Sequence, residues 1–407
     1  MNNAYKPDGR IPPAVYILAL SLFAMGSAEF LMGGILPMIA EDLLISLPTA
    51  GTLVSAFALG ALIGGPLFAI LALRWPYRLT LFLSQIAFIV ATIISLLTHY
   101  YWPILLARFA MGLAYACFWA VAAATAVQLT APGRRAKALS VVVSGLTAAM
   151  VFGGPAGTLI SELTAWRGGF WAVVAAVAIS AITVFLVLPK QGQGDAQQPD
   201  LQAELRAMKR PALWVAYAST MVTTAAYMGT FGYLAALLIQ VSDLTAKWLP
   251  AVLTLFGVGA FMGLTIGGRT ADRHTFSTLV AGIAGLTLSS VAIALFAAHA
   301  WVTVALVFVL GFFGFLLNPA VWSRVYNLAP DAPMLAGATN SSAFQAGLTL
   351  APLLAGIPIS LGYGLPYVAW VGAALGVLAL GLAAVDARLK HPYMNVTARS
   401  SYGDQHP

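Results

Sequence analysis

Charge is scarce in this chain. Only 8% of its 407 residues are Asp, Glu, Lys or Arg, against roughly 25% in a soluble domain. Hydrophobic residues make up 60%, and the mean hydropathy is +0.89. So few charges cannot coat a water-exposed surface of this size. A cytosolic enzyme, a secreted domain and a disordered protein are therefore excluded. Cysteine is almost missing too. Cys117 stands alone, which rules out a disulfide framework and any Cys-x-x-Cys metal or redox site. The five histidines (His99, His274, His299, His391 and His406) fall in short linkers or tails, and none pairs with another at metal-ligand spacing. No Gly-Lys-Ser/Thr phosphate loop occurs. There is no Gly-x-Ser-x-Gly either, and no buried set of nucleophile, base and acid. The net charge is +7 and the pI about 9.5. Its bases do not cluster with aromatics on a polar surface, so no nucleic-acid partner is expected.

Long apolar runs are what the chain does have. Twelve are long enough to cross a bilayer as helix, at 14–38, 51–73, 79–98, 103–129, 138–162, 169–189, 213–239, 248–268, 277–298, 301–326, 336–361 and 366–386. Their connections are short except for residues 190–212. Within that stretch, Leu201, Leu205 and Met208 share one helical face and Gln202, Arg206 and Arg210 another. It reads either as a short helix on the inner membrane surface or as a solvated linker. If the N-terminus is cytoplasmic, 17 of the 20 Lys and Arg residues fall on the inner side. Arg167 and Lys247 fall outside and Arg108 within a span. This asymmetry places both termini in the cytoplasm of an inner (plasma) membrane. The first span is read as retained rather than as a cleaved signal, because it is too long and Ala28-Glu29-Phe30 is no cleavage site.

The halves repeat each other. A shift of 199 maps Gly60 and Gly64 onto Gly259 and Gly263, Trp102 onto Trp301, and Gly112 onto Gly311. The expected organisation is a six-helix bundle over 1–189, a linker over 190–212, a second six-helix bundle over 213–386 and a cytoplasmic tail over 387–407. Two parallel six-helix repeats describe a transporter that rocks around a site at the membrane midplane.

Four local patterns carry a resemblance. Gly26-Ser27-Ala28-Glu29-Phe30 precedes Gly34-Ile35-Leu36-Pro37 in span 1. Gly268-Arg269-Thr270-Ala271-Asp272-Arg273 follows span 8. Arg108-Phe109-Ala110-Met111-Gly112 lies in span 4. Gly145 and Gly153-Gly154-Pro155-Ala156-Gly157 lie in span 5, and Trp166-Arg167 with Phe170-Trp171 opens span 6. In these patterns the chain resembles the major facilitator superfamily from end to end, and most of all its twelve-span drug:proton antiporter branch, with its chloramphenicol-resistance and sugar-efflux permeases. The resemblance implies an all-α membrane fold of two pseudo-symmetric six-helix bundles. It also implies gating roles for Arg74, Arg78, Gly268, Asp272 and Arg273 and for the span-5 motif, whose bend seals the cavity in antiporters. One departure stands out. Leu73 and Pro76 occupy the positions where the superfamily usually has Asp and Gly, so the gate acid is present only as Asp272.

Only one acid and one base lie well inside spans, Glu29 and Arg108. A charge at span centre costs about 2.5–3.5 kcal/mol even on the lenient insertion scale, so each should face a partner or a wet cavity. Desolvation favours the neutral carboxyl, and a nearby cation or substrate favours the carboxylate. Glu29 can therefore alternate between the two and couple proton entry to substrate exit, with Arg108 tuning it. The alternative is a static Glu29–Arg108 ion pair between spans 1 and 4. The glycines of span 5 make one smooth face for pivoting or for plain tight packing. Tyr115, Trp119, Tyr227, Tyr233, Asn318, Asn340 and Gln345 are candidate substrate contacts. The amides should point inward, whereas the aromatics could equally face lipid. Such a lining suits a small, mostly neutral or weakly cationic amphipathic ligand. The expected function is proton-coupled export of chloramphenicol-like drugs or small sugars, with no cofactor beyond the proton gradient. The expected partners are substrate, protons and lipid, and the expected state is a monomer. Facilitated diffusion or uptake is the alternative, and a membrane-embedded enzyme a remote one.

Overall fold

The computed structural model describes residues 11–71, 76–130, 135–189, 206, 208–329 and 332–400. Arg74, nearly all of the proposed linker helix and the side chain of Asp272 lie outside the described residues.

Every element among the described residues is helical. Spans 1 to 4 are α1 (Pro13–Asp42), α2 (Leu47–Leu71), α3 (Tyr77–Leu97) and α4 (Tyr101–Gln128). Span 5 comprises α5 (Arg135–Ala148), a π-helical turn (Ala149–Gly153) and α6 (Gly154–Leu163); span 6 is α7 (Trp166–Val187). Span 7 is split into α8 (Pro211–Gly232) and α9 (Leu234–Gln240). Spans 8 and 9 run through α10 (Leu249–Phe296), which bends at His274. Span 10 is α11 (Ala300–Leu316) with α12 (Asn318–Leu328), span 11 is α13 (Pro333–Ser360) and span 12 opens α14 (Tyr367–Ser400). Twelve helices among them are long and apolar enough to cross a membrane, as the hydrophobic runs predict.

Three spans are interrupted: span 5 at its Gly-Pro motif, where a bend is expected, and spans 7 and 10, which the apolar runs leave continuous. In span 5, Pro155 has no N–H to donate, and the π turn takes up the mismatch, with Gly154 N–H bonding Ala149 O. In span 10, Pro319 starts a new helix after Leu317. In span 7, Tyr233 leaves helical geometry (φ −105°, ψ 8°). Beyond span 12, α14 continues to Ser400, with Pro392 inside it.

The repeat reappears in the packing. Gly60 lies against the carbonyl of Phe109, and Gly259 against that of Phe308. Gly112 lies against the carbonyl of Phe57, and Gly311 against that of Phe256. The glycines and the carbonyls are related by the same shift of 199. A Cβ at any of these positions would collide with backbone, so glycine lets spans 2 and 4, and spans 8 and 10, meet backbone to backbone.

One buried core is drawn mainly from residues 14–188 and another mainly from 222–383. The end of the bundle where α1 begins is called here the near end, and the opposite end the far end. The two halves meet towards the far end. Gly33 lies under the Phe231 ring, Gly34 against Leu253, and Gly257 against Met150 and Val151 of the π turn. Ser55 donates to Thr349 O across the halves at 2.7 Å. Tyr233 donates to Pro352 O at 2.9 Å and closes on Gly51. By contrast, α5 and α12, the near-end pieces of spans 5 and 10, pack chiefly within their own halves. The contacts between the halves named here thus lie in the middle and far-end parts of the bundle.

Candidate functional site

Glu29 sits near the middle of α1, between two fully buried neighbours, Ala28 and Phe30, yet its own side chain is only half buried. The groups within its electrostatic reach are Arg108 and Tyr115 of span 4 and Tyr227 of span 7. The carboxyl therefore lies between the two halves rather than against lipid. Tyr115 and Tyr227 are both buried. Tyr115 leans on Phe57 with ring centroids 5.5 Å apart, and Tyr227 on Phe315 at 5.3 Å.

Arg108 is buried, with 2% of its surface exposed. Its Nε donates to Leu53 O at 3.3 Å and its Nη1 to Ala28 O at 3.4 Å. The guanidinium lies 4.8 Å from the Phe57 ring centre and 5.8 Å from that of Phe170. Nη2 is buried without a partner. Among the described residues no Arg108–Glu29 contact falls within ion-pair distance. The static ion pair allowed by the sequence is therefore not what is seen. Arg108 holds the backbones of spans 1 and 2 to span 4, and its charge acts on Glu29 through space.

The span-5 motif supports the same region from behind. Gly145 packs on Ala19 O, Gly153 on Ser27, Gly154 on Phe30 and Gly157 on Leu31. All four contacts are with span 1, on either side of Glu29. The π turn before Pro155 also meets span 8 at Gly257, so the motif touches both halves at once.

The other candidates separate. Asn318 is half buried, with its Nδ2 turned to Gly314 O at 3.5 Å, and lies beside Tyr227. Trp119 and Gln345 are half buried on spans 4 and 11. Asn340 is fully buried, and its Oδ1 accepts from Thr220 at 2.7 Å. Tyr233 does not join them. Its hydroxyl is committed to Pro352 O at the far-end seam, where it pins span 11. Of the gating candidates, Arg78 rests over Phe185 at 4.4 Å, Gly268 faces open space and Arg273 is exposed.

Two clusters escaped the sequence reading. Arg324 and Asp386 form a bidentate pair, 2.8 and 2.6 Å, tying span 10 to span 12 in the C-terminal half. Asp386 looked like an end-of-span residue but is 4% exposed. At the far end, Asp42 accepts from Trp166 at 3.0 Å and from Arg167 at 2.7 Å, while Arg167 also donates to Leu96 O and Thr98 O. The common Trp166-Arg167 pair is thereby an anchor for span 1. Only long-range partner choice separates these charges from ordinary surface ones.

Residues 18–334 match the family described as the Major Facilitator Superfamily. The chain belongs to that superfamily. It is 37% identical to a chloramphenicol resistance protein of Streptomyces lividans over 349 residues, covering 85% of this chain and 88% of that one. It is 31% identical to the inner membrane transport protein YdhP of Escherichia coli, covering 94% and 98%. It is 27% identical to a probable sugar efflux transporter of Helicobacter pylori, covering 90% and 93%. Its fold matches a crystal structure of a bacterial homologue of the human lysosomal transporter Spinster with a TM-score of 0.74 at 14% identity, covering 93% and 98%. This major facilitator is thus a multi-pass membrane transporter, and its family is one of transporters rather than enzymes.

Proposed function

We propose that this major facilitator exports small, mostly uncharged or weakly cationic amphipathic molecules in exchange for protons, by alternating access. The observation that carries the reading is the position of Glu29: a lone carboxyl, half buried, between spans 1, 4 and 7, with Arg108 close enough to influence it but not paired to it. A carboxyl locked in an ion pair would not titrate freely. One that water reaches in one state and neighbours cover in another changes its proton affinity as the halves rock.

The near end corresponds to the cytoplasm, on the Lys and Arg asymmetry, with both termini inside a bacterial-type inner membrane. In a state open at the near end, Glu29 yields its proton toward that end as substrate enters between the halves. The halves then part at the far end, substrate leaves and a proton returns to Glu29. The span-5 glycines let span 1 pivot on span 5, and Pro155 with the π turn seals the seam with span 8. No cofactor enters this scheme; the proton gradient supplies the energy. A monomer suffices, with substrate, protons and lipid as its partners. The chloramphenicol and sugar classes come from the names of the relatives, and the uncharged aromatic and amide lining suits both.

The test is Glu29→Gln in proteoliposomes with an imposed pH gradient. Glutamine keeps the shape and cannot carry the proton. Gradient-driven export of chloramphenicol should vanish while substrate exchange across equal pH persists. Full gradient-driven export by this variant would remove the mechanism, and parent transport indifferent to the gradient would mark facilitated diffusion instead.

A further inference from the structure

A cleft of about 350 Å³ lies at the far end, between the first turns of span 2 and the last turns of span 11. Its size is at the low end of small-molecule sites, roughly 300–1,000 Å³. One wall is Pro48, Thr49 and Thr52 of the N-terminal half, and the other runs along span 11 from Pro352 to Leu361 in the C-terminal half. The seam between the halves runs beside it. Tyr233 donates to Pro352 O, and a Cβ on Gly356 would meet the Tyr233 hydroxyl at 2.8 Å and Pro48 at 3.2 Å. Whatever fills the cleft touches both halves, so it keeps both walls only while they stand this close.

Depth and chemistry say what fits there. Tyr101 and Trp102 open span 4, and Tyr363 and Tyr367 lie where span 11 gives way to span 12, all at the far end. Trp102 is 70% exposed and Tyr363 61%, and exposed Trp and Tyr mark the level of the lipid headgroups. Tyr101 reaches the cleft itself, with its hydroxyl against Thr52 Oγ1. From that level Leu361, Ile357 and Leu353 run inward four residues apart as an exposed apolar stripe, about 12 Å long at 1.5 Å per residue. Hydroxyls at the rim with hydrocarbon below is the order of a lipid, not of a soluble molecule. The lining holds no charged side chain. Because α2 starts here and α13 ends here, their opposite helix-end dipoles offset each other. Thr52 gives its hydroxyl proton to Thr49 O at 2.6 Å, and Ser360 gives its own to Gly356 O at 3.1 Å. Both oxygens are left with lone pairs, which accept hydrogen bonds. A phosphate brings no donor and meets no cation among the lining residues, and an ammonium meets no carboxylate. The hydroxyls of a neutral head supply donors without the cost of desolvating a charge.

We propose that this cleft binds an uncharged, hydroxyl-headed lipid of the far-end leaflet, which acts as a clasp across the seam between spans 2 and 11. Its head donates to Thr52 Oγ1 and Ser360 Oγ, and its chain lies along Ile357 and Leu353. A ligand moves a conformational equilibrium only by its differential affinity for the two states. Here the difference is built in, because parting of the halves at the far end separates the two walls. The lipid therefore favours the state in which the far-end seam is made. The inference goes beyond the proposed export and does not use the proton.

The experiment places the full chain in nanodiscs of dioleoylphosphatidylcholine, whose head has no donor. Spin labels at Leu44→Cys and Thr245→Cys, exposed far-end sites in the two halves, report the distance across the far end by pulsed EPR, with Cys117→Ala as background. Three additives share one chain: monoolein carries hydroxyls, methyl oleate has no donor and oleylamine carries an ammonium. Monoolein should raise the ratio of short to long distances roughly fivefold, the scale of one net hydrogen bond. The other two should leave it unchanged. Ser360→Ala, at an exposed helix end, should weaken the monoolein response, and adding Thr52→Val should remove it; melting midpoints confirm that both variants are folded. No response of the parent to monoolein overturns the clasp. Methyl oleate acting as strongly as monoolein overturns the role of the hydroxyls, and oleylamine acting as strongly overturns the neutral head. A monoolein response that survives both variants places the lipid elsewhere and overturns the site.

Discussion

Replacing Arg108 with lysine keeps the positive charge near Glu29 and removes the guanidinium fork, so it separates the two jobs the structure gives this residue. The fork joins Leu53 O and Ala28 O, carbonyls of two different helices, at 3.3 and 3.4 Å. Hydrogen bonds from a charged donor contribute about 1.5–3 kcal/mol each, and these are long, which puts them at the low end. A lysine ammonium on its single stem can satisfy one carbonyl and not both. It also gives up the planar contact with Phe57 at 4.8 Å, worth roughly 0.5–2 kcal/mol. The expected loss for Arg108→Lys is about 2–3 kcal/mol. Reversible unfolding in mixed micelles titrated with SDS reads this directly. Substrate binding as a function of pH reads the charge. Lysine should keep the pH dependence and lose the stability; Arg108→Gln should lose both. If Arg108→Lys unfolds within ~0.5 kcal/mol of the parent, the backbone clamp is refuted and Arg108 is only a charge.

The glycine pairs and the Arg324–Asp386 pair give further expectations. Gly60→Ala and its repeat mate Gly259→Ala should each cost roughly 1–3 kcal/mol by overpacking, because the added carbon meets a carbonyl at both sites. Gly268→Ala, where the added carbon meets open space, should be neutral; equal melting points for all three would contradict the packing. Asp386→Asn should destabilise by about 3–5 kcal/mol by stranding the buried Arg324, whereas the double change Arg324→Met with Asp386→Leu should recover most of that. Thermal unfolding of the single and double variants decides it, and a mild single with a severe double would be the wrong way round.

Much of this architecture is legible in the residues. Twelve runs of sufficient length can only be twelve helices in oil, because the backbone must bond to itself there. The repeat is legible because its glycines are fixed by backbone contacts that recur with the same register. Glu29 and Arg108 are legible because a charge in an apolar run is costly and therefore rare. What does not follow from the runs is how a polar residue is used once it is inside. Tyr233 and Tyr227 sit six residues apart on similar aromatic stretches, yet one hydroxyl reaches Pro352 O across to span 11 and the other stays beside Thr224 and Asn318. Asp386 sits at the end of a span like any surface acid, and only the arrival of Arg324 from span 10 makes it a buried one. The breaks at Tyr233 and Leu317 are equally silent, since one needs a tertiary seam and the other a proline whose effect depends on its neighbours.

On the proposed proton-coupled reading, the asymmetry between the halves explains why one carboxyl can be enough. The shift of 199 carries Glu29 onto Met228 and Arg108 onto Val307, both buried. The skeleton is copied and the charge is not. A second carboxyl facing the first would repel it, and one proton shared between them would blunt the response of either to the rocking of the halves. With Met228 and Val307 at the matching places of the C-terminal half, each swing of that bundle on this reading changes how well Glu29 is solvated without placing a competing charge beside it. Movement of an uncharged bundle past a fixed acid is then sufficient to raise and lower its hold on a proton, with the copied glycine contacts keeping each bundle tightly packed.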